Sequence, residues 1–394
     1  MSNFSRRSLM KGAAGLAGLA AMSRVSPAFA QTVPGDKTTL LVIFLEGGYN
    51  SLFASADSFL GSGDFGTSAG TVKQLGNGLA IDAPTYGTMP QFAQEHMASV
   101  GIRHGLTAHE AAQPQMVGMG GRSFLLQLAK DLGGDAAIKA AVVGNKMPEG
   151  PRPAEGDVSL QGITDMKATI VALGGSVGDP TVPNRNIATE AMVGSSTMSK
   201  RGLLRSPKSL RTVNDGFVTG VDALRKQGLA LDYNALSQAY GIGATTTGVT
   251  NFRTQMVAAD LMVQAGANVI FAADGGWDTH GDTDGSNVRN MMNTRILPPL
   301  NTFLSRNLNQ PGKNVMVAII GDFARSLPGS DHQGNITATV IGKNVKNGTT
   351  GKVGANVSLP AGTPSIQQFW AYLAAAGRAP TPLFGANPHT SILI

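Results

Sequence analysis

Asn268-Val-Ile-Phe-Ala-Ala-Asp-Gly-Gly-Trp-Asp-Thr-His280 is an apolar run that breaks into a polar, glycine-rich segment. A second run of the same kind follows, Asn314-Val-Met-Val-Ala-Ile-Ile-Gly-Asp-Phe-Ala-Arg325. Between the two, residues 287–304 have helical periodicity, with a kink or break predicted at Pro298 and Pro299. Unbroken apolar runs are typical of strands buried on both faces of a parallel sheet. The stretch therefore predicts a strand–helix–strand unit around which the rest of the chain is organised.

Acidic and histidine residues come directly after the two predicted strands. Asp278 and His280 follow the first, Asp322 follows the second, and the next loop carries Asp331 and His332. Ligands of open parallel sheets bind beyond the carboxyl ends of the strands, and carboxylate with imidazole suits zinc or manganese. We therefore predict a divalent metal site from these residues, with Asp322 either a ligand or the hydrogen-bond acceptor of a histidine. Alternatively, Asp278 caps a turn, His280 binds a phosphate or nothing, and the last pair lies in a solvated loop.

Three residues are predicted to act in catalysis, namely Ser51, His109 and Arg325. His104 and His109 flank a predicted turn, and one of them is expected to face the site as a general acid or base while the other has a structural role. Arg325 is expected to pair with Asp322 or to bind an anionic substrate in a bidentate manner. Ser51 and Ser55 are nucleophile candidates by position after the first strand, which is what the family resemblance given below implies, and turn capping is the alternative for both.

The other predicted elements surround this unit. The opening run Thr38–Leu45 is predicted to be a buried strand that ends in Glu46 and two glycines. Further predictions are strands at Ala98–Ile102, Ala137–Val143 and Ala338–Ile341, an edge strand at Ala168–Leu173, and helices at Pro90–Met97, Gly121–Leu132, Phe252–Gly266 and Ser365–Ala376. The last helix is expected to be capped by Thr363, with Pro364 at its first position. Residues 144–250 are predicted to form an irregular insertion.

The first thirty residues have the pattern of an export signal. A basic region with the pair Arg6 and Arg7 precedes a short Gly/Ala-rich apolar run, which ends at Ala28-Phe-Ala30. The arginine pair matches the twin-arginine signal, whose substrates cross the translocase already folded. The apolar run is too short to span a bilayer, so no stable transmembrane anchor is expected. The prediction is a signal peptide at 1–30, one domain at 31–394, and a periplasmic, cell-surface or secreted location.

Composition excludes several classes of protein. The 394 residues are 42% hydrophobic and 14% charged, which is enough for a large core. The formal charge is +6, and the leader supplies +4 of it, so the remaining chain gives no reason to expect a nucleic-acid partner. Cysteine is absent, which excludes zinc held by thiolates.

Three segments together resemble a known family. They are Leu41-Val-Ile-Phe-Leu-Glu-Gly-Gly-Tyr-Asn-Ser51, Gly275-Gly-Trp-Asp-Thr-His280, and Val317-Ala-Ile-Ile-Gly-Asp-Phe-Ala-Arg325 with Ser330-Asp-His-Gln-Gly334. The family is the exported bacterial "domain of unknown function 1501", which is similar to the alkaline phosphatase and sulfatase superfamily. The resemblance implies a three-layer α/β domain of alkaline-phosphatase-like type with a mostly parallel central sheet.

The same resemblance implies two alternative functions. The first is a metal-dependent hydrolase, or a degenerate relative of one, that acts on phosphate or sulfate esters of a small molecule or an envelope polymer. The second is a non-catalytic exported binding or envelope-assembly protein that retains the fold. Asn50 stands where the family commonly has an Asp, which is a metal ligand in the wider superfamily, and this departure argues against a complete two-metal site. Glu46 also replaces an Arg that is common in the family, and Thr107-Ala-His109 corresponds to its Ser-x-His loop.

Overall fold

The strand β1, Lys37–Leu45, lies at the centre of the sheet in the computed structural model. Its run from Leu40 to Leu45 is fully buried, because a sheet neighbour lies on each edge and side chains pack against both faces. Parallel neighbours flank it, β10 (Lys313–Gly321) on one edge and β9 (Val269–Asp274) on the other. The structure describes residues 37–48, 70–146, 158–173, 232–326, 329, 331–353, 357–359 and 361–394.

Eight strands of the described residues form one mixed but mostly parallel sheet. Their spatial order is β14 (Gly348–Thr349), β4 (Met97–Arg103), β13 (Asn335–Gly342), β10, β1, β9, β7 (Ala140–Val143) and β8 (Leu160–Ile163). The strand β13 runs antiparallel to both β10 and β4, whereas the other pairings are parallel. Because two antiparallel steps restore direction, β4 points the same way as β10 and delivers the following chain to the same edge of the sheet.

Two-stranded ribbons accompany the main sheet. They are β2 (Val72–Gly76) with β3 (Leu79–Asp82), β5 (Gly118–Met119) with β6 (Arg122–Ser123), β11 (Ala324–Arg325) with β12 (His332–Gln333), and β15 (Lys352–Val353) with β16 (Val357–Ser358). In the third ribbon Arg325 lies opposite His332. This pairing folds the loop after β10 back over the end of the sheet.

Helices cover the sheet. They are α1 (Gln91–Glu95), α2 (His109–Val117), α3 (Phe124–Leu132), α4 (Met166–Ala172), α5 (Tyr233–Ala239), α6 (Phe252–Ala265), α7 (Ser286–Met291), α8 (Leu297–Asn307) and α9 (Ile366–Ala376). The helix α6 packs on β9 and β7, and α9 packs on β4. The long apolar side chains of these helices and of the central strands form one continuous core. Within the described residues, no helix has both the length and the apolar character needed to cross a membrane.

The predicted strands are largely confirmed. The segments at Thr38–Leu45, Ala98–Ile102 and Ala338–Ile341 all lie in the main sheet, and the two strands of the organising unit are buried and parallel to β1. The strand β1 lies between β9 and β10, so these two strands are near neighbours rather than paired strands. The sequence did not indicate this order.

The edge strand predicted at Ala168–Leu173 is wrong, because this segment lies in helix α4. Asp165 caps the helix by accepting a hydrogen bond from the Ala168 nitrogen at 2.7 Å. Met166 and Ile170, four residues apart, bury the same face of the helix. This helical spacing outweighs the β propensity of the Thr-Ile-Val run.

Two details of the predicted helices are also corrected. A π-helical segment, Met292–Ile296, joins α7 to α8, and Pro298 and Pro299 lie in the first turn of α8, where a missing N–H costs little. The final helix is capped by Ser365 rather than Thr363, through a capping box with Gln368. The predicted leader and much of the insertion at 144–250 lie outside the described residues, so the domain boundaries stay predictions.

Candidate functional site

Two glycines end β1 and bring three segments of chain together. Gly47 has a φ of +115°, and a Cβ there would overlap the backbone nitrogen of Asp278. Gly48 has a φ of +75°, and a Cβ there would come within 2.7 Å of the Phe323 ring. Only glycine satisfies both the backbone conformation and these close approaches. The segments that follow β1, β9 and β10 therefore meet at one edge of the sheet.

Asp322 lies beneath this meeting point and is fully buried. One of its carboxylate oxygens accepts a hydrogen bond from the Gly47 nitrogen at 3.1 Å. The other accepts from His109 Nδ1 at 2.5 Å and from Gln113 Nε2 at 3.0 Å. Both oxygens are therefore used by protein donors, so Asp322 orients a histidine, which is the second of the two roles predicted for it.

His109 begins helix α2 and presents its other ring nitrogen to the site. Because Nδ1 donates its proton to Asp322, Nε2 carries a lone pair in the neutral ring. This Nε2 is buried and has no hydrogen-bond partner among the described residues. It lies 3.8 Å from Asp278 Oδ2. A buried ring nitrogen left without a donor is costly in an apoprotein and is the arrangement expected of a metal ligand.

His332 is oriented in the same way by a different acceptor. Its Nδ1 donates to the Thr107 carbonyl oxygen at 2.6 Å, which leaves the lone pair on Nε2. Its ring packs on Phe323, with 4.1 Å between centroids. The Nε2 lies 4.0 Å from Asp278 Oδ1 and 3.2 Å from His280 Nε2. Burial lowers the pKa of His332, although its hydrogen bond to Thr107 acts in the opposite direction. The lowered pKa favours the neutral ring that a metal requires.

The ligand atoms of His109, Asp278 and His332 all lie within 4.8 Å of one another. Two imidazoles and one carboxylate are a donor set that suits zinc and leaves a coordination position open. The side chains of Asp278 and His280 are 50% and 58% exposed, so the group faces solvent. His280 Nε2 lies 3.2 Å from Asp278 Oδ1, at the mouth of the site. The described residues thus include a His/Asp/His group that could hold a metal ion.

Arg325 contacts the His/Asp/His group on its buried side. Its side chain is 1% exposed. It donates two hydrogen bonds to the Gly47 carbonyl oxygen, at 3.0 and 2.6 Å, one to Asp278 Oδ1, and one to His332 Nε2 at 3.3 Å. Burial lowers the pKa of Arg325, and Asp278 opposes that shift. Asp278 and Asp322 place two carboxylates near this one guanidinium, so the charges of these three side chains sum to −1, which favours a cation.

The predicted site residues divide into those that converge and those that do not. Asp278, His280, His332, His109 and Arg325 meet in one place, with Asp322 beneath them.

Asp331 lies outside the group that could hold an ion. It is exposed, and its backbone pairs with Ser326 through bonds of 2.9 Å in both directions. Ser51 lies outside the described residues, as do Asn50 and Ser55. The roles assigned to all of these residues stay predictions.

His104 lies close to the site, but its side chain stabilises the turn that precedes His109. Its Nδ1 accepts a hydrogen bond from the Leu106 nitrogen at 3.1 Å, and burial lowers its pKa to about 4. Sequence reasoning missed Gln113 and the Thr107 carbonyl as orienting groups. Gln113 follows His109 by four residues, so helical spacing was a signal that could have found it.

The fold and the site together define a mixed α/β protein with a mostly parallel sheet and a possible metal site beyond its carboxyl edge. The family model described as "Protein of unknown function (DUF1501)" matches residues 221–361, a region that includes Asp278 and His332 but not His109. Among solved structures, the chain is similar to "Crystal structure of PsFucS1 sulfatase from Pseudoalteromonas sp.", with 10% sequence identity and a TM-score of 0.36. That comparison covers 92% of this chain and 73% of the other, and the likeness is too weak to transfer fold or function. No curated protein matches the chain.

Proposed function

We propose that this protein is an exported, metal-dependent hydrolase of phosphate or sulfate esters, with a three-layer fold of alkaline-phosphatase-like type. The observation that carries the proposal is the buried Nε2 of His109, which has no hydrogen-bond partner among the described residues and faces Asp278 and His332. The Nε2 atoms of His104 and His389 are also buried without a partner among the described residues, so what distinguishes His109 is that its Nε2 lies within 4.8 Å of ligand atoms of Asp278 and His332. Zinc or manganese suits the donor set.

A divalent cation bound there would supply a Lewis acid and a water molecule of lowered pKa. The chain's own residues prepare the site for it. Asp322 and the Thr107 carbonyl fix the tautomers of His109 and His332, so each ring has a lone pair on Nε2. The Nε2 of His332 accepts from Arg325 at 3.3 Å, a bond that a bound cation would replace. His280, exposed at the mouth, is placed to exchange a proton with solvent or with a leaving group.

Arg325 contributes a fixed positive charge next to Asp278. A guanidinium in this position favours an anionic ester and the charge that develops on it. Its two bonds to the Gly47 carbonyl oxygen hold it in place before substrate arrives. The open mouth leaves room for the ester of a larger molecule, which is consistent with an envelope polymer as well as with a small substrate. The leader that motivates a periplasmic or cell-surface location lies outside the described residues.

The test is metal analysis combined with an ester assay. Protein purified from the periplasm is expected to contain a stoichiometric amount of zinc or manganese, and to cleave nitrophenyl phosphate or nitrophenyl sulfate. His109→Ala and His332→Ala should each lose the metal and the activity while remaining folded, because the sheet below is held by apolar burial. His96→Ala is the matched control, since His96 is a partly exposed histidine that bonds the Val345 carbonyl oxygen away from this edge.

A non-catalytic exported binding or assembly protein is the second candidate function. The observation that favours it is the pairing of Arg325 with Asp278, which satisfies the carboxylate without an ion. Metal content separates the two functions. Absence of metal after supplementation with zinc and manganese, together with unchanged folding of His109→Ala, would support the binding protein and reject the hydrolase.

A further inference from the structure

A second cleft opens on the same edge of the sheet, next to the metal site. It has a volume of about 660 Å³ and lies between the ends of β7 and β9 and the start of helix α6. Glu46 and Gly47 separate the two sites, because the Glu46 side chain extends to Lys146 while Gly47 contacts Asp322 and Arg325. A cleft of this size is in the range that holds a small organic ligand.

Three cationic side chains from three different elements line the cleft. They are Lys146 after β7, Arg253 in the first turn of α6, and Arg295 in the π-helical segment. Lys146 pairs with Glu46 at 2.7 Å, and Arg295 pairs with Asp274 at 2.5 Å. Arg253 has no carboxylate partner among the described residues. Within the described part of the chain, these side chains therefore leave the cleft with one excess positive charge, that of Arg253.

Among the described residues that line the cleft, Asp274 is the one carboxylate, and it is not available to bind a cation. Asp274 accepts from the Trp277 indole nitrogen at 3.0 Å and from the Arg295 guanidinium at 2.5 Å. Arg295 also donates to the Gly275 carbonyl oxygen at 2.8 Å, so its guanidinium is held at the mouth of the cleft. The charge and the fixed geometry both favour an anionic ligand over a metal ion.

The inner wall of the cleft offers both donors and an acceptor. At the start of the fourteen-residue helix α6, Asn251 Oδ1 accepts from the Thr254 nitrogen at 3.0 Å, which leaves the backbone N–H groups of Phe252 and Arg253 without an intrahelical partner at the positive end of the helix dipole. Gln255 is 7% exposed and donates through Nε2 to the Ala273 carbonyl oxygen at 2.9 Å. Its Oε1 is buried and has no hydrogen-bond partner among the described residues. A buried acceptor of this kind is satisfied by a hydroxyl donor.

We infer that this cleft binds a small anionic ligand that also carries hydroxyl groups, of the chemical class of acid sugars and sugar phosphates. The anionic group meets Arg253, Lys146 and the first turn of α6, and a hydroxyl group donates to Gln255 Oε1. Apolar side chains, Val249 and Phe252 among them, supply a surface for the ring carbons. This site is independent of the metal site, and it does not require the proposed hydrolase activity.

Calorimetric titration of the full chain after removal of metal by chelation tests the inference. The probes are glucuronate and glucose 6-phosphate, with glucose as the neutral control. At least one of the two anionic probes should bind, and glucose should bind about tenfold more weakly or not at all. Added salt should weaken binding of the anionic probe. Which anionic probe binds more tightly decides between a carboxylate and a phosphate as the anionic group.

Substitutions then locate the binding site. Arg253→Gln and Lys146→Gln should each weaken binding of the anionic probe about tenfold, because each removes a charged hydrogen-bond donor. Arg378→Gln should leave it unchanged. Arg378 is exposed after α9, near the amino end of β1, where Thr38 donates to the Gly377 carbonyl oxygen at 2.8 Å. Cyclohexanecarboxylate, which lacks hydroxyl groups, should bind more weakly than glucuronate to the unaltered protein.

Several results would overturn the inference. They are equal affinity for glucose and glucuronate, unchanged binding by the Arg253 and Lys146 variants, or no binding of either anionic probe at low salt. Binding should also persist in His109→Ala, which lacks the proposed metal ligand. Loss of binding in that variant would assign the anion to the metal site instead.

Discussion

Replacing Asp322 with Asn should switch the tautomer of His109 and thereby remove its metal-facing lone pair. In the structure Asp322 accepts from the Gly47 nitrogen, His109 Nδ1 and Gln113 Nε2. Asparagine has one acceptor oxygen and an NH2 group, and the oxygen can still serve Gly47. The NH2 group then faces His109 Nδ1, which must accept, so the ring proton moves to Nε2. A protonated Nε2 cannot bind a metal.

The magnitude follows from the role of the carboxylate. Loss of an acceptor that orients a metal-binding histidine lowers metal affinity by about 10- to 100-fold, or about 1.4–2.7 kcal/mol. The free energy of unfolding of the metal-free protein should fall by about 1–3 kcal/mol, because Gln113 Nε2 also faces the new NH2 group. The change in metal affinity and the change in intrinsic stability are separate quantities, so both must be measured.

Zinc affinity is measured by competition with a chromogenic chelator, and stability by urea unfolding of the metal-free proteins. Asp82→Asn is the matched control, because Asp82 is another fully buried aspartate, paired at 2.9 Å with Arg289. The control should lose stability but retain zinc affinity. Zinc affinity of a folded Asp322→Asn protein within twofold of the original would refute the proposed role of the tautomer. Gln113→Met, which leaves the His109 bond in place, should have a much smaller effect than Asp322→Asn.

Three further predictions concern folding, pH and export. Ile43→Asp and Ile319→Asp should each abolish soluble expression, since a carboxylate would be buried without a partner in paired central strands. A soluble variant of either kind that unfolds cooperatively would contradict the assignment of these residues to buried strands. Burial lowers the pKa of His389 from 6.5 to about 4. As pH falls, the unfolded chain therefore binds a proton at this residue before the folded chain does, and stability is lost between pH 6.5 and pH 4. The free energy of unfolding lost through this residue is about 2 kcal/mol at pH 5. His389→Phe should abolish that part of the pH dependence, which urea unfolding at pH 7 and pH 5 measures. Replacing Arg6 and Arg7 together with lysine should leave the full-length protein in the cytoplasm on fractionation, and normal periplasmic delivery would count against a twin-arginine signal.

The sequence by itself determined the central strands and the edge of the sheet at which the site lies. Unbroken, β-rich apolar runs at Thr38–Leu45 and Val315–Ile320, each followed by a glycine-containing turn, indicate this, because strands covered on both faces bury every residue. Polar residues at the carboxyl ends of β9 and β10 then fall on one edge of the sheet. The run at Ala168–Leu173 was ambiguous, since a short apolar segment has too few residues to separate a helical period from an extended one.

Only the tertiary structure decided which side chains meet in the site and which roles their positions allow. His109 reaches the candidate metal site because two antiparallel steps, from β10 to β13 and from β13 to β4, turn β4 back towards the same edge. Arg325 pairs with Asp278 rather than with Asp322, because the glycine turn after β1 brings Asp278 over the guanidinium. Strand order and side-chain partners depend on contacts between residues far apart in the chain. The local pattern of residues predicts single elements, and it contains no information about the packing that places distant elements side by side.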